Sequence, residues 1–328
     1  MKVFVTRAIP ETGLTLLKQK YTVTVYPHDR LPTKQEIMTG VKDADGLLCL
    51  LTDPIDTDVI TSAPHLKMIS TYAVGYDNID IATASARGIL ISNTPGVLTD
   101  ATAELAWALL MSAARRIPEG DQYCRQGHFK GWAPLLMLGQ SLTGKTLGII
   151  GAGRIGAAMA HKSRGFDMNI LYTDTNPNPS LEQDLHAQRV PLNDLLHQAD
   201  FISIHVALSK TTRHLISTPQ FKLMKPTAVL INTSRGPVVD EAALATALKN
   251  HQIFSAGLDV YEHEPAISQA LLKVPNIVLA PHLGSATFET RSDMARMAAE
   301  NMIAGLSGQL PPNCVNPDVF KKKKLVKG

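Results

Sequence analysis

Short apolar runs alternate with amphipathic stretches along the whole chain. In the first hundred residues the apolar runs have the length of strands, and they are KVFVT, YTVTVY, ADGLLCLL, LKMISTYAV and GILISN. The stretches between them have helical periodicity, and they are ETGLTLLKQK, TKQEIMTGVK and DNIDIATASARG. This alternation is typical of βαβ units built on a parallel sheet. No Gly-rich phosphate loop and no acidic strand end occurs in this first set, which indicates a task other than nucleotide binding.

A second alternating set begins at KTLGIIGAG. Its later strand-like runs are MNILYTD, FISIHVA, TAVLINTS, SAGLDV and NIVLAP. Its helical stretches are RIGAAMAHKSRG, LNDLLHQA, TPQFKLM and DEAALATALKNH, and a long final helix is predicted over TFETRSDMARMAAENMIAGLSGQ. This order predicts a doubly wound nucleotide-binding sheet.

The two sets together predict an α/β protein with two doubly wound parallel-sheet domains. A Rossmann NAD-binding domain, residues 100–287, is inserted into a flavodoxin-like substrate (catalytic) domain made of residues 1–99 and 288–328. Clefts between domains are favoured ligand sites, because closure can expel water. We therefore expect both domains to contribute residues to the reactive site.

The clearest predicted helix runs from Ala101 to Arg116. Asp100 is placed to cap its N-terminus, and Pro118 is placed to end it. Its residues are apolar nearly all round, which predicts burial between domains or between subunits.

Composition and charge exclude several classes of protein. The 328 residues carry a net charge of +3, but five lysines fall in the last eight residues, and the rest of the chain is slightly acidic. A nucleic-acid partner is therefore not expected, and the terminal lysines indicate a solvated tail. No apolar run approaches the ~20 residues of a membrane span, and no signal peptide is apparent, so we expect a cytoplasmic protein without a membrane partner. Three widely spaced cysteines offer no metal or redox pair, and we expect no metal site.

The segment GAGRIG, Gly151 to Gly156, has the spacing of a dinucleotide-binding loop. It follows an apolar strand and opens a helix, which is the context this motif requires. Gly151 would permit the tight turn, Gly153 the approach of a pyrophosphate and Gly156 close packing of helix on strand. Arg154 and Ile155 begin the helix, whose free N–H groups would face the phosphates.

Asp174 ends the next predicted strand, eighteen residues beyond Gly156. A carboxylate at this point can accept hydrogen bonds from both ribose hydroxyls and would repel a 2′-phosphate. We therefore predict that the protein binds NAD(H) in preference to NADP(H). Thr175 and Asn176, which follow, could still hydrogen-bond a phosphate.

Three chemically distinct side chains follow the dinucleotide motif. Arg235 lies in INTSRGPVVD, Glu264 in GLDVYEHEP and His282 in LAPHLGSAT. A fixed cation can polarise a carbonyl, and an imidazole with an acid beside it can move a proton. Together with a nicotinamide these groups indicate hydride transfer at a carbonyl carbon.

These segments resemble the D-isomer-specific 2-hydroxyacid dehydrogenase family. Within it the motifs YAVGYDNID, NTPGVLTDATAELAWALL and PPNCVNPDV are closest to the glyoxylate/hydroxypyruvate reductase group. The resemblance implies reduction of small 2-oxo acids such as glyoxylate and hydroxypyruvate to D-2-hydroxy acids with NADH, by a homodimer. Another 2-oxo acid such as 2-ketogluconate stays open, as does a non-enzymatic NAD-sensing role like that of transcriptional corepressors on the same scaffold.

The resemblance also implies residue roles. Arg235 would hold the 2-oxo acid, His282 would be the general acid of reduction, and Glu264 would pair with His282 and fix its tautomer. The backbone N–H groups at Val74 and Gly75 would bind the substrate carboxylate. Asp259 would accept a hydrogen bond from the nicotinamide carboxamide. The remaining cofactor contacts would be Thr102, Ala207, Thr233, Ser234 and Gly284. Ala207 stands where the family often has Pro.

Overall fold

The computed structural model describes residues 1–325, with side chains through Lys321. The chain forms two compact units, one made of Met1–Leu98 and the chain from Ser285 onwards, the other of Thr99–Gly284. No helix in residues 1–325 combines the length and the apolar character that a membrane crossing needs.

The strands and helices alternate through both units. The strands are β1 (Lys2–Val5), β2 (Thr22–Val25), β3 (Gly46–Cys49), β4 (Met68–Thr71), β5 (Leu90–Ser92), β6 (Thr146–Ile150), β7 (Asn169–Thr173), β8 (Gln188–Arg189), β9 (Phe201–Ile204), β10 (Val229–Asn232), β11 (Ser255–Leu258) and β12 (Ile277–Leu279). The α-helices are α1 (Glu11–Lys18), α2 (Lys34–Val41), α3 (Thr57–Thr61), α4 (Ile81–Ala86), α5 (Thr99–Ala114), α6 (Ile117–Arg125), α7 (Arg154–Lys162), α8 (Pro179–Leu185), α9 (Leu192–Gln198), α10 (Thr218–Phe221), α11 (Glu241–Lys249), α12 (Gln269–Leu272), α13 (Phe288–Leu306) and α14 (Asp318–Leu325).

The first unit contains a five-stranded parallel sheet in the order β2-β1-β3-β4-β5. Strands β3, β4 and β5 are buried along their whole length, as expected for a sheet covered on both faces. Helix α1 packs closely on α13, because Gly13 has no side chain and an added Cβ would lie 2.9 Å from the Ala295 Cβ. This unit confirms the predicted parallel α/β sheet.

The second unit contains a seven-stranded sheet in the order β12-β11-β10-β9-β6-β7-β8, and all its strand pairs are parallel. Strand order reverses at β6, since β9 lies on one side of it and β7 on the other. This is the switch point at which doubly wound sheets bind nucleotides, beyond the carboxyl ends of the strands. The predicted nucleotide-binding fold is therefore present.

Helix α5 covers one face of this second sheet. It packs against β10, β11 and α7, and its buried face includes Trp107 and Leu110. Much of its apolar surface is therefore covered within its own unit. Two details of the prediction are wrong: Asp100 lies in the first turn of the helix rather than at its cap, and Pro118 opens α6 rather than ending α5. The break comes at Arg116, whose φ of 55° is left-handed.

The short elements α3, α6, α8, α12 and β8 are absent from the sequence-based prediction. Most of them span few residues, so their periodicity is short and weak. The segment after α13 ends in α14, a helix that is also absent from the sequence-based prediction. The lysine run lies partly in this helix, and Lys327 is outside the described residues.

Candidate active site

The glycine-rich segment connects β6 to α7 at the switch point. Gly151 adopts φ +94°, and an added Cβ would lie 2.8 Å from the backbone of Val206. A Cβ on Gly156 would overlap the Gly151 carbonyl oxygen. Gly153 caps α7 without any side-chain bond, and a Cβ there would meet no protein atom within 4 Å. Arg154 and Ile155 form the first turn of that helix. The loop is thus tightly packed at its two ends and open at its middle, where the helix N-terminus can receive an anion.

Asp174 lies directly after β7, beside this loop. Its Oδ2 accepts the Ala152 N–H at 2.8 Å, and its Oδ1 accepts the Asn176 N–H at 3.2 Å. Burial alone would raise the pKa of Asp174, but the amides of Asn176 and Ala152 and the bond from Thr175 outweigh it and lower the pKa. The Asp174 side chain is therefore an ionised carboxylate held in place directly after β7.

Further polar groups lie beyond the carboxyl ends of the central strands. Thr233 follows β10, and among the described residues its buried hydroxyl has no hydrogen-bond partner. Ser234 donates its hydroxyl and its N–H to Asn232 Oδ1 at 2.8 and 3.0 Å. Ala207 lies in the loop after β9, and its carbonyl accepts the Thr212 hydroxyl at 2.7 Å. An orphaned buried hydroxyl near an open phosphate loop and a fixed carboxylate fits a bound dinucleotide.

Arg235 follows these residues at the end of β10. Its Nη1 donates to the Ser234 carbonyl at 2.8 Å, and its own carbonyl accepts from Asn232 Nδ2 at 3.0 Å. The next residue, Gly236, is pressed against the segment after β11, since an added Cβ would overlap the Tyr261 carbonyl. The Arg235 turn is therefore fixed by its neighbour loop as well as by its own strand.

Glu264 and His282 form a hydrogen-bonded pair. Glu264 Oε2 lies 2.8 Å from His282 Nδ1, and Glu264 Oε1 accepts the Tyr261 N–H at 3.0 Å. Both side chains are partly buried, with 22% and 27% of their surface exposed. With Nδ1 turned to the carboxylate, Nε2 is the ring nitrogen left for a reacting group.

The charge state of Glu264 follows from its surroundings. Burial would raise the pKa of Glu264, but the hydrogen bond and charge of His282, the Tyr261 amide and the charge of Arg235 together lower it. The carboxylate is therefore ionised at neutral pH, and it accepts a hydrogen bond from the Nδ1–H of His282. The structure thus brings Glu264 and His282 into contact, with Arg235 near enough for its charge to act on the acid.

Asp259 fixes the segment that carries His282. It lies at the end of β11, fully buried, and its two carboxylate oxygens accept the N–H groups of Leu283 and Gly284 at 2.6 and 2.8 Å. Its carbonyl accepts the His282 N–H at 2.9 Å. Burial, more than any other cause, raises the pKa of Asp259 to about 6. These bonds could not be predicted from the sequence, because they run to backbone amides.

The other predicted contacts are placed as follows. Thr102 is buried in α5, and a Cβ added to Gly284 would lie 3.4 Å from its Cγ2, so both belong to the His282 end of the site. Val74 and Gly75 belong to the first unit, in the loop after β4, where the Val74 carbonyl accepts from Asn93 Nδ2 at 2.8 Å. In the part of the chain that the structure describes, no group of three His, Cys, Asp or Glu side chains could hold a metal ion.

Comparison with known proteins gives a family context for this arrangement. Residues 107–284 match the family model of the D-isomer specific 2-hydroxyacid dehydrogenase, NAD binding domain. The chain is 52% identical over 322 residues to a glyoxylate reductase of Korarchaeum cryptofilum, covering 98% of this chain and 97% of that protein. It is 50% identical over 323 residues to a glyoxylate reductase of Thermococcus litoralis, covering 97% and 98%.

A solved structure extends the likeness to three dimensions. An NADPH-dependent glyoxylate/hydroxypyruvate reductase from Sinorhizobium meliloti, in complex with citrate, is similar with a TM-score of 0.84 and 32% identity. The similarity covers 96% of this chain and 97% of that one.

Proposed function

The chain belongs to the D-isomer specific 2-hydroxyacid dehydrogenase family, and on this premise we propose that it reduces glyoxylate to glycolate and hydroxypyruvate to D-glycerate. It is an NAD(P)-dependent oxidoreductase of small 2-oxo acids. The observation that carries the proposal is the Glu264–His282 pair, beyond the same edge of the sheet as Arg235 and the glycine-rich loop. The two glyoxylate reductases, at about half identity over nearly the whole length, support the choice of substrates.

A bound nicotinamide dinucleotide supplies the hydride that reaches the carbonyl carbon. His282 donates the proton that the carbonyl oxygen needs, and it takes that proton back when the reaction runs as an oxidation. Glu264 keeps the ring oriented through its contact with Nδ1. Arg235 binds the oxygens of the 2-oxo acid and stabilises the negative charge that develops on the carbonyl oxygen.

Binding roles complete the proposal. The N–H groups at Val74 and Gly75 receive the substrate carboxylate. The cofactor is held by the Gly151–Gly156 loop, by the unpartnered hydroxyl of Thr233 and by the residues around Gly284. Asp259, whose carboxylate already fixes the His282 segment, would also accept a hydrogen bond from the nicotinamide carboxamide.

We propose that NADH is preferred over NADPH. The support is the fixed, ionised carboxylate of Asp174 at the end of β7, which would repel a 2′-phosphate. The related Sinorhizobium reductase is NADPH-dependent, so relatives differ in this property. Measurement of kcat/KM with each cofactor tests the choice, and a higher value with NADPH would reverse it.

The activity itself is tested by the loss of absorbance at 340 nm with NADH and a panel of acids. Glyoxylate and hydroxypyruvate are expected to be the best substrates, with pyruvate and 2-ketogluconate as comparison acids. No oxidation of NADH with any member of the panel, despite measurable NADH binding, would contradict the enzyme and favour an NAD-sensing role.

We also propose that the protein is a homodimer. The second unit exposes a cluster of large apolar side chains after α5, and the most exposed are Trp132 at 85% and Leu135 at 81%. Helix α6, which leads into this segment, has no buried residue. Apolar surface of this kind is usually covered by another protein surface.

A cytoplasmic location is part of the same proposal. Cys49, Cys124 and Cys314 are all free thiols, which suits a reducing compartment. Cell fractionation followed by the NADH assay on each fraction tests it.

A further inference from the structure

Glu241 and Glu262 bond reciprocally through each other's backbone. The Glu241 carboxylate accepts the Glu262 N–H at 2.7 Å, and the Glu262 carboxylate accepts the Glu241 N–H at 2.9 Å. Glu241 begins α11, where an acid also complements the helix dipole, and Glu262 lies in the segment after β11. We name these two bonds the carboxylate clasp.

The clasp is buried, and this sets its strength. Glu241 is 7% exposed, and the side chain of Glu262 is 11% exposed. Burial above all, and then the nearby Glu262 charge, raises the pKa of Glu241. Burial removes the water that would otherwise solvate this carboxyl, so its hydrogen bonds to protein groups must replace that water. Hydrogen bonds in a water-poor interior are electrostatically stronger than in water.

A third loop joins the clasp. His214, in the loop after β9, has its Nε2 2.9 Å from the second carboxylate oxygen of Glu262, and the backbone N–H of His214 donates to the Pro237 carbonyl at 2.8 Å. Three consecutive loops at one sheet edge are thereby tied together. They follow β9, β10 and β11, and they carry Ala207, Arg235 and Glu264.

The clasp is also connected to the proposed reacting groups through Tyr261, the residue before Glu262. The Tyr261 N–H bonds to Glu264, and the Tyr261 carbonyl lies against Gly236, the residue after Arg235. Tyr261 therefore supports both groups: its N–H bonds to Glu264, and its peptide with Glu262, which Glu241 binds, lies against the residue after Arg235. A displacement of this peptide would alter the distance between the cation and the acid–imidazole pair.

We propose that Glu241 and Glu262 are positioning residues for hydride transfer, which set the geometry of Arg235 relative to Glu264 and His282 through the carboxylate clasp. The inference rests on the proposed function for its effect on catalysis. The clasp touches neither the glycine-rich loop nor Asp174, so cofactor affinity depends on it little.

Two variants of Glu241 separate the effect of side-chain length from the effect of charge. Glu241→Gln keeps an oxygen at the same reach, whereas Glu241→Asp keeps the charge but is one methylene too short to bond the Glu262 N–H. Because a misplacement of about 1 Å can cost ~10²-fold, kcat for glyoxylate should fall at least about tenfold in Glu241→Asp and stay within about threefold of wild type in Glu241→Gln. The KM for NADH should change less than about twofold in both.

Asp200 supplies the control. It is a half-buried carboxylate that accepts the Thr146 N–H at 3.0 Å and pairs with Lys225 at 2.8 Å, at the opposite, amino edge of the same sheet. Asp200→Ala should lower Tm without lowering kcat at 25 °C. Glu262→Asp should lower kcat as much as Glu241→Asp does. It tests the clasp from its other carboxylate if Glu241→Asp does not fold.

Amide hydrogen exchange gives a readout independent of activity. Glu241→Asp should speed exchange in the peptide over residues 259–265 but not in that over residues 146–150. Normal kcat and normal exchange in Glu241→Asp would overturn the clasp. So would an equal loss of kcat in Asp200→Ala, or a loss in Glu241→Gln alone. A wild-type protein that reduces no 2-oxo acid defeats the proposed function, and the exchange result then still decides the clasp.

Discussion

His282 occupies a left-handed backbone conformation, with φ at +55°. Non-glycine residues adopt it uncommonly, so surrounding contacts must hold it there. Those contacts are the His282 N–H to the Asp259 carbonyl and the two following amides to the Asp259 carboxylate. The strained turn directs the ring toward Glu264, and this explains why a buried aspartate ends the neighbouring strand.

This conformation decides which substitution tests the general acid. His282→Asn suits a left-handed position better than Ala does, and it removes the ionisable ring. Reduction of glyoxylate should fall by about 10²–10⁴-fold, the usual effect of removing a general acid, while NADH binding persists. His251→Asn is the matched control, because His251 is exposed with φ +52° and should keep full activity. Steady-state kinetics measures both variants. Similar activity in His282→Asn and His251→Asn would contradict the assignment of His282 as the general acid.

If Glu264 orients the proton donor as proposed, it also sets the pH range of reduction. The lowered pKa of Glu264 keeps its carboxylate ionised through the working range, so a full negative charge lies against the His282 ring. Glu264→Gln removes that charge, so the pH above which reduction fades should move to lower values. A pH profile of kcat/KM for glyoxylate measures the shift, with the exposed Glu11→Gln as control. An unchanged alkaline limb would mean that Glu264 does not govern the proton donor.

The sequence indicated residues with distinctive chemistry but not the bonds that support them. Arg235, Glu264 and His282 each follow a strand and lie in recognisable segments, so they could be selected without coordinates. Asp259 and Glu241 act through backbone amides, and any residue can supply an amide. Their partners depend on loop conformation, which no periodicity encodes.

Among the elements, most of those missing from the sequence-based prediction are short, although the four-residue α10 was predicted and the nine-residue α6 was not. The inner strands β3, β9 and β10 are mainly apolar and fully buried, as parallel strands covered on both faces should be, whereas the edge strands β2 and β8 are more polar and more exposed. Helices α3 and α12 have five and four residues, too few to display a helical period. At the α5–α6 junction, proline was taken for a stop signal, but it is also favoured in the first turn of a helix.

The junction of β6 and α7 gives a prediction at this scale. Gly156→Ala places a methyl group on the Gly151 carbonyl oxygen, so strand and helix must separate. The free energy of unfolding should fall by about 1–3 kcal/mol, and the Kd for NADH should rise. Gly165→Ala is the control, because a Cβ there meets no atom within 4 Å and should leave both quantities unchanged. Thermal unfolding and NADH fluorescence titration measure the two effects, and tight NADH binding in Gly156→Ala would contradict this role of the glycine.

For the whole molecule, local patterns indicated two sheets but could not define their surfaces. The chain enters the first sheet, passes through the second and returns at α13, which packs on α1. The loop of residues 126–141 has no helical or strand period, and its apolar residues resemble a core segment in sequence. The structure instead leaves Phe129, Trp132 and Leu135 exposed. Whether an apolar residue faces the core or a partner is decided by tertiary packing, which the sequence pattern alone does not define.

This exposed segment leads to a prediction about assembly. If it forms the dimer interface, Trp132→Ser with Leu135→Ser should weaken association by at least about 2 kcal/mol, or about thirtyfold in Kd, because large buried side chains dominate interface energies. Sedimentation velocity across a concentration series should show a wild-type dimer and a shift toward monomer in the double variant. Leu272→Ser removes a single exposed apolar side chain, 51% exposed on α12, and should leave the dimer intact. A monomeric wild type, or a double variant as dimeric as wild type, would place the subunit contact elsewhere or exclude it.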